Sequence, residues 1–150
     1  MLLDTNQGNS NSNDNGSILV LDDEPDIATI VKQSLQGLGF RVSTFTDPIV
    51  ALEYFKSNFE DCCSIIISDI RMPGMNGYEF VRKVKAINPE GRIILMSSFE
   101  INDIEFSNVL PDIKIDAFLQ KPFSIRKLKG LIMEKYSNQM QKKNIWASAL

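Results

Sequence analysis

Histidine is missing from all 150 residues. Its absence excludes a Ser-His-Asp or Cys-His catalytic pair, an imidazole metal site and a phosphohistidine carried on this chain. Cysteine is reduced to Cys62 and Cys63, side by side. Neighbouring cysteines close no useful loop, and two thiols do not make a four-ligand zinc site. They read as reduced thiols in a reducing compartment. Basic charge is not in excess: the net charge is -3, so no positive field draws in nucleic acid or an anionic membrane. No apolar run approaches the roughly 18 residues that a membrane helix needs. No basic stretch followed by an apolar one opens the chain, as a signal peptide would. The expectation is a soluble cytoplasmic protein that uses neither nucleic acid nor membrane.

What is present is ordinary for a globular domain: 43% apolar and 23% charged residues, at a length that suits one core. Residues 1–16 are rich in Asn, Ser, Gly and Asp and offer too little apolar surface to offset their ordering entropy. They read as a disordered leader. From Ser17 onward two periods alternate. Short apolar runs, many of them β-branched, lie at Ile18–Leu21, Phe40–Phe45, Ser64–Ser68, Arg92–Met96 and Ile115–Leu119; their length and composition predict strands. Four are nearly continuous in apolar character, as strands buried on both faces should be. Phe40–Phe45 alternates and suits a strand nearer an edge.

Helical patterns fill the gaps. Ile27, Ile30, Val31, Leu35 and Leu38 predict one face of a first helix, with Pro25 in its first turn and Gly39 just past its end. Leu52, Phe55 and Phe59 mark a second helix. Phe80, Val81, Val84 and Ile87 mark a third, stopped near Pro89. A weaker fourth pattern runs from about Glu100 to Leu110 before Pro111, and Ile125, Leu128, Ile132 and Tyr136 mark a fifth. The alternation is (βα)5, an α/β fold with a parallel sheet covered on both faces. Ligands in such sheets bind at the carboxyl ends of the strands.

Those ends carry the chemistry. Asp22, Asp23 and Glu24 follow the first strand, Asp69 the third, Ser97 and Ser98 the fourth, and Lys121-Pro122 the fifth. Each alone has an ordinary reading: helix caps before Pro25, a turn acid before Pro73-Gly74, a loop serine, a surface lysine. Together they place Asp22, Asp23 and Asp69, one or two hydroxyls and one lysine on a single sheet edge, which no packing argument requires.

Four motifs in order, Val20-Leu-Asp-Asp-Glu-Pro25, Asp69-Ile-Arg-Met-Pro-Gly-Met-Asn-Gly77, Met96-Ser-Ser98 and Lys121-Pro-Phe123, resemble the receiver domain of a two-component response regulator. The resemblance covers Ser17 to about Ser137. It implies a flavodoxin-like doubly wound sheet with strand order 2-1-3-4-5. It also implies that Asp69 is the phosphoacceptor. Mg²⁺ would be held by Asp22, Asp23, Asp69 and the backbone carbonyl of Arg71. Ser97, Ser98 and Lys121 would contact the phosphoryl group, Phe118 would be the switch aromatic, and the Lys121–Pro122 peptide would be cis. The implied partners are a sensor histidine kinase or phosphotransfer protein, and an output protein bound on the face of the fourth helix, fifth strand and fifth helix.

The chemistry agrees with that set. A carboxylate becomes a competent nucleophile toward phosphorus when oriented in line with nearby charge neutralised, and oxygen-only donors favour Mg²⁺ over softer-ligand metals. Arg71, two residues past Asp69, and Phe99, two past Ser97, occupy positions that flank the path of hydrolytic water in the family. Their bulk predicts slow dephosphorylation. Residues 138–150 are too short for a DNA-binding output domain, so the expectation is a stand-alone receiver, a phosphorylated signalling module and not a turnover enzyme. The tail holds Trp146, read as frayed rather than docked. Two rival readings are a receiver-like binding module that takes no phosphate, and an aspartyl-phosphate phosphatase of the haloacid dehalogenase type. The phosphatase would require Asp-x-Asp after the first strand, where this chain has Asp-Asp-Glu.

Overall fold

The computed structural model describes residues 15–99 and 112–134. The leader, the fourth helical pattern with Pro111, Tyr136 and the tail with Trp146 lie outside the described residues. The elements are β1 (Ser17–Leu21), α1 (Pro25–Gln36), β2 (Arg41–Phe45), α2 (Pro48–Asn58), β3 (Ile65–Asp69), α3 (Gly77–Ile87), β4 (Arg92–Ser97) and β5 (Ala117–Gln120), and residues 125–134 are helical. The strands form one parallel sheet in the order β2-β1-β3-β4-β5.

The near-continuous apolar strands are explained by burial on two sides. Within β1, Leu19 and Leu21 join one core with α2 and α3, while Ile18 and Val20 join a second core with α1 and the helix at 125–134. β3 and β4 divide in the same way: Ile66, Ile93 and Leu95 face the first core, and Ile65, Ile67, Ile94 and Met96 the second. β2 stands at the sheet edge, and its five residues are half-buried or exposed.

Local chemistry sets the helix starts. Asp47 accepts from the Ile49 amide at 2.8 Å and Asn76 from the Glu79 amide at 2.9 Å, each satisfying an otherwise orphaned N–H. Several expectations shift. Ile30 is 47% exposed and Ala28 takes a buried place on α1 instead, because the helix packs a narrower stripe than its apolar residues allow. Phe59 lies just past the end of α2 and is 37% exposed. α1 ends at Gln36, and Gly39, at φ 90°, sits in the turn beyond. Among the described residues no helix is long and apolar enough to cross a membrane.

Candidate functional site

The third and fourth strands run one residue further than their apolar runs suggest, so Asp69 and Ser97 are the last strand residues rather than the first loop residues. The sheet register sets Asp69 beside Met96 and Ser97 beside Gln120. Lys121 follows directly, and its amide donates to the Ser97 carbonyl at 2.7 Å. On the other side, the Asp22 amide donates to the Phe45 carbonyl at 3.0 Å. Backbone pairing thus brings Asp22, Asp69, Ser97 and Lys121 to one edge, and all four are buried.

Lys121 is the hub. Its Nζ stands 2.7 Å from Asp22 Oδ2, 3.2 Å from Asp69 Oδ2 and 3.9 Å from Glu24 Oε1. Asp69 Oδ1 accepts from the Ile70 amide at 2.9 Å, and Asp22 Oδ1 from the Glu24 amide at 2.9 Å. Asp22 therefore shapes the turn into α1, while α1 has no side-chain cap at Glu24. Asp22 Oδ2 is paired with the Lys121 ammonium at 2.7 Å, which offsets the cost of burying its charge.

Asp22, Asp23 and Glu24 offer carboxylate oxygens all within 4.8 Å of one another. This is a hard-donor set, suited to Mg²⁺ or Ca²⁺ rather than to a thiolate or imidazole metal. Glu24 was absent from the expected ligands; its place beside the acid pair is visible in the sequence, but its turn toward Lys121 is not. Asp69 instead keeps an oxygen on Lys121.

The Asp69 carboxyl is pushed up to about 6. Burial is the main cause; Lys121 opposes it, and the neighbouring Asp22 and Asp23 charges add to it. Lys121 is itself held above its ordinary value, the partner acids Asp22 and Asp69 outweighing its burial. Because the folded acid binds its proton more readily than the unfolded one, the native state takes up protons first as pH falls. Asp69 therefore contributes a gain in stability to the ion-free protein as pH falls from about 7 to about 4, across its two values. A displacement of that size is worth on the order of 3 kcal/mol. Urea unfolding at pH 7 and pH 4.5, with Asp69→Asn as the variant whose gain is smaller, reads this directly.

Ser97 Oγ accepts from the Phe99 amide at 3.0 Å, which leaves its own proton free to donate. The Arg71 guanidinium carbon lies 3.7 Å from the centre of the Phe99 ring, so the two residues that flank the site meet. Phe118 is half-buried on β5, packed against the core that contains Leu95, its register partner. Ser98 is exposed and lines an adjoining hollow of about 440 Å³ with Glu24, Ile27, Ile30, Lys121 and Phe123. The Lys121–Pro122 peptide is cis.

This geometry can be compared with known proteins. Residues 18–133 match the family model described as the response regulator receiver domain. The chain belongs to the response regulator receiver domain family. Among relatives, the C4-dicarboxylate transport transcriptional regulatory protein DctD of Rhizobium meliloti is 35% identical over 75% of this chain and 23% of its own length. The DNA-binding transcriptional regulator NtrC of Escherichia coli is 29% identical over 87% of this chain and 27% of its own. The receiver thus spans about a quarter of the length of these two regulators. Among solved structures, a CheY-like receiver domain protein from Methanospirillum hungatei has a TM-score of 0.75 at 25% identity, covering 85% of this chain and 98% of that one. The response regulator TrrA of Thermotoga maritima, solved in complex with Mg(2+)-BeF, has a TM-score of 0.67 at 28% identity, covering 80% of this chain and 98% of that one. The fold and the strand order β2-β1-β3-β4-β5 are those the family resemblance implies.

Proposed function

We propose that this receiver takes one phosphoryl group onto Asp69 from a sensor histidine kinase or a phosphotransfer protein, and that the phosphorylated form presents a changed surface to an output protein. The observation that carries this reading is the buried Asp69 carboxylate with one oxygen on Lys121 and a second acid, Asp22, on the same ammonium. In the transfer, an Asp69 oxygen attacks phosphorus, the bond from phosphorus to the donor imidazole nitrogen breaks, and the electron pair stays on that nitrogen. Asp69, held near the sheet edge by the Ile70 amide, needs an in-line donor and a bound divalent ion. Asp22, Asp23, Asp69 and the Arg71 carbonyl would hold Mg²⁺, with Glu24 close enough to join; the bound ion supplies neutralising charge to the phosphoryl oxygens.

Lys121 pairs with the oxygens of the acyl phosphate, and Ser97 donates its hydroxyl to one of them. Phe118 then reorients on β5, altering the face that β5 shares with the helix at 125–134; a partner that prefers one form shifts the balance by its difference in affinity. The apolar hollow beside Lys121, with Ile30 exposed at it, gives a protein donor surface to bury. Arg71 and Phe99, stacked at the mouth, keep hydrolytic water away and make the phosphoryl group slow to leave. This is a signalling module, with chemistry confined to its own Asp69.

The test is the intact mass after incubation with acetyl phosphate. One added phosphoryl group with Mg²⁺, none without it and none in Asp69→Asn is the expected result. No adduct together with no trapping by beryllofluoride overturns it in favour of a phosphate-independent binding module.

A further inference from the structure

We propose that Trp146, in the stretch beyond residue 134, docks into the apolar hollow beside Lys121 and so covers the surface that a protein phosphodonor would bury. From sequence alone Trp146 has nothing to pack on. The structure supplies a receptor. The hollow of about 440 Å³ opens between α1 and the start of the helix at 125–134, and Ile27, Ile30, Phe123 and Ile125 line it. Ile30 is 47% exposed, so apolar surface is left open to water. The size suits a single aromatic anchor seated in a pocket. Ser98 and Glu24 stand at the same hollow and offer oxygen acceptors for the indole N–H, which a buried tryptophan requires.

Reach and charge favour this segment as the occupant. Ile125 itself lines the hollow, and the helix that starts there runs to Glu134, a rise of about 14 Å at about 1.5 Å per residue. Trp146 lies 12 residues further on, which extended chain spans in up to about 40 Å. The segment can turn back along the helix with length to spare. Residues 135–150 carry Lys135, Lys142 and Lys143 and no acid. The end of the hollow nearest the strand edge is acidic: Glu24 and Asp26 are exposed there beside the buried Asp22, while the Lys121 ammonium is engaged by Asp22 and Asp69. A tethered segment needs little intrinsic affinity, because a short linker gives an effective concentration of about a millimolar. A phosphodonor that docks over Lys121 then has to displace the tail. The docking does not rest on the phosphoacceptor reading; only this consequence for a donor does.

Trp146 is the sole tryptophan, so its fluorescence reports the docking without a label. In the whole chain, emission should lie to the blue of that of the urea-unfolded chain, and acrylamide should quench it several-fold less. Ile30→Glu puts a charge on the wall of the hollow at a position already half open to water. It should keep the fold, checked by circular dichroism, and return emission and quenching to the values of the unfolded chain. Ile49→Glu is the control: Ile49 is 58% exposed on α2, which packs on the opposite face of the sheet from α1, and both readings should stay those of the wild type. Quenching in the folded wild type equal to that in urea overturns the docking. So does burial of Trp146 that survives Ile30→Glu, or that is lost equally in Ile49→Glu. Burial that fades on dilution overturns it in favour of a second copy of the chain.

Discussion

Lys121→Met is expected to destabilise the ion-free protein by about 3–5 kcal/mol, the usual cost of stripping one partner from a buried charge pair. The size follows from the packing. The side chains of Lys121, Asp22 and Asp69 are 8%, 0% and 8% exposed, so water cannot take over the lost contact. Methionine keeps the length and apolar stem of lysine, which leaves charge as the main change. Two further measurements identify the cause. Lys121 holds the Asp69 proton affinity down, so its loss moves that carboxyl higher still, and the destabilisation should shrink as pH falls toward 5. Millimolar Mg²⁺ should recover part of it by binding the native state alone. Urea titrations at pH 7.5 and pH 5, each with and without Mg²⁺, give the four values. Equal stability of variant and parent at pH 7.5 would show that this cation does not hold the acids.

Gly77→Ala should damage stability and phosphoryl uptake together. A Cβ on Gly77 would fall against the Asp69 carbonyl oxygen and 2.8 Å from the Ile70 Cα. Both are backbone atoms and cannot swing aside. The Gly77 amide also donates to the Ile70 carbonyl at 2.7 Å, so the first residue of α3 is drawn tight against the peptide that follows Asp69. Overpacking of this kind costs about 1–3 kcal/mol. The relief open to the chain is to move Asp69, and a misplacement of about 1 Å can cost on the order of a hundredfold in rate. Gly74→Ala is the control. Gly74 has open space around it but a φ of 85°, so the change should cost about 1–2 kcal/mol in backbone strain and leave the rate of uptake from acetyl phosphate near that of the parent. Equal rates for parent and Gly77→Ala would mean that α3 does not press on the site.

The elements and their order were legible because burial on both faces leaves β1, β3 and β4 almost without polar residues. The polar residues that interrupt this pattern stand at the carboxyl ends of the strands, which is why Asp22, Asp69, Ser97 and Lys121 could be grouped from spacing alone. What the sequence concealed is local. Ile30 fits the apolar stripe of α1 but lies at the rim of a hollow, since periodicity assigns a face and not a depth. The turn of Glu24 toward Lys121, the hold of the Phe99 amide on Ser97 and the stack of Arg71 on Phe99 depend on side-chain torsions in three short loops. No periodic signal encodes those torsions.

Lys121 meets a carboxylate 52 residues earlier in the chain and a second one, Asp22, further back still. Contacts of such separation form late, because the intervening chain must be ordered before they are rewarded. On a ribosome that has made everything up to β4, both acids exist and their counter-charge does not. The parallel sheet adds β5 at its rim, and only then does Lys121 reach the pair. The Asp22–Asp69–Lys121 cluster is thus completed only when β5 joins the sheet, and a chain that stops at β4 lacks its cation.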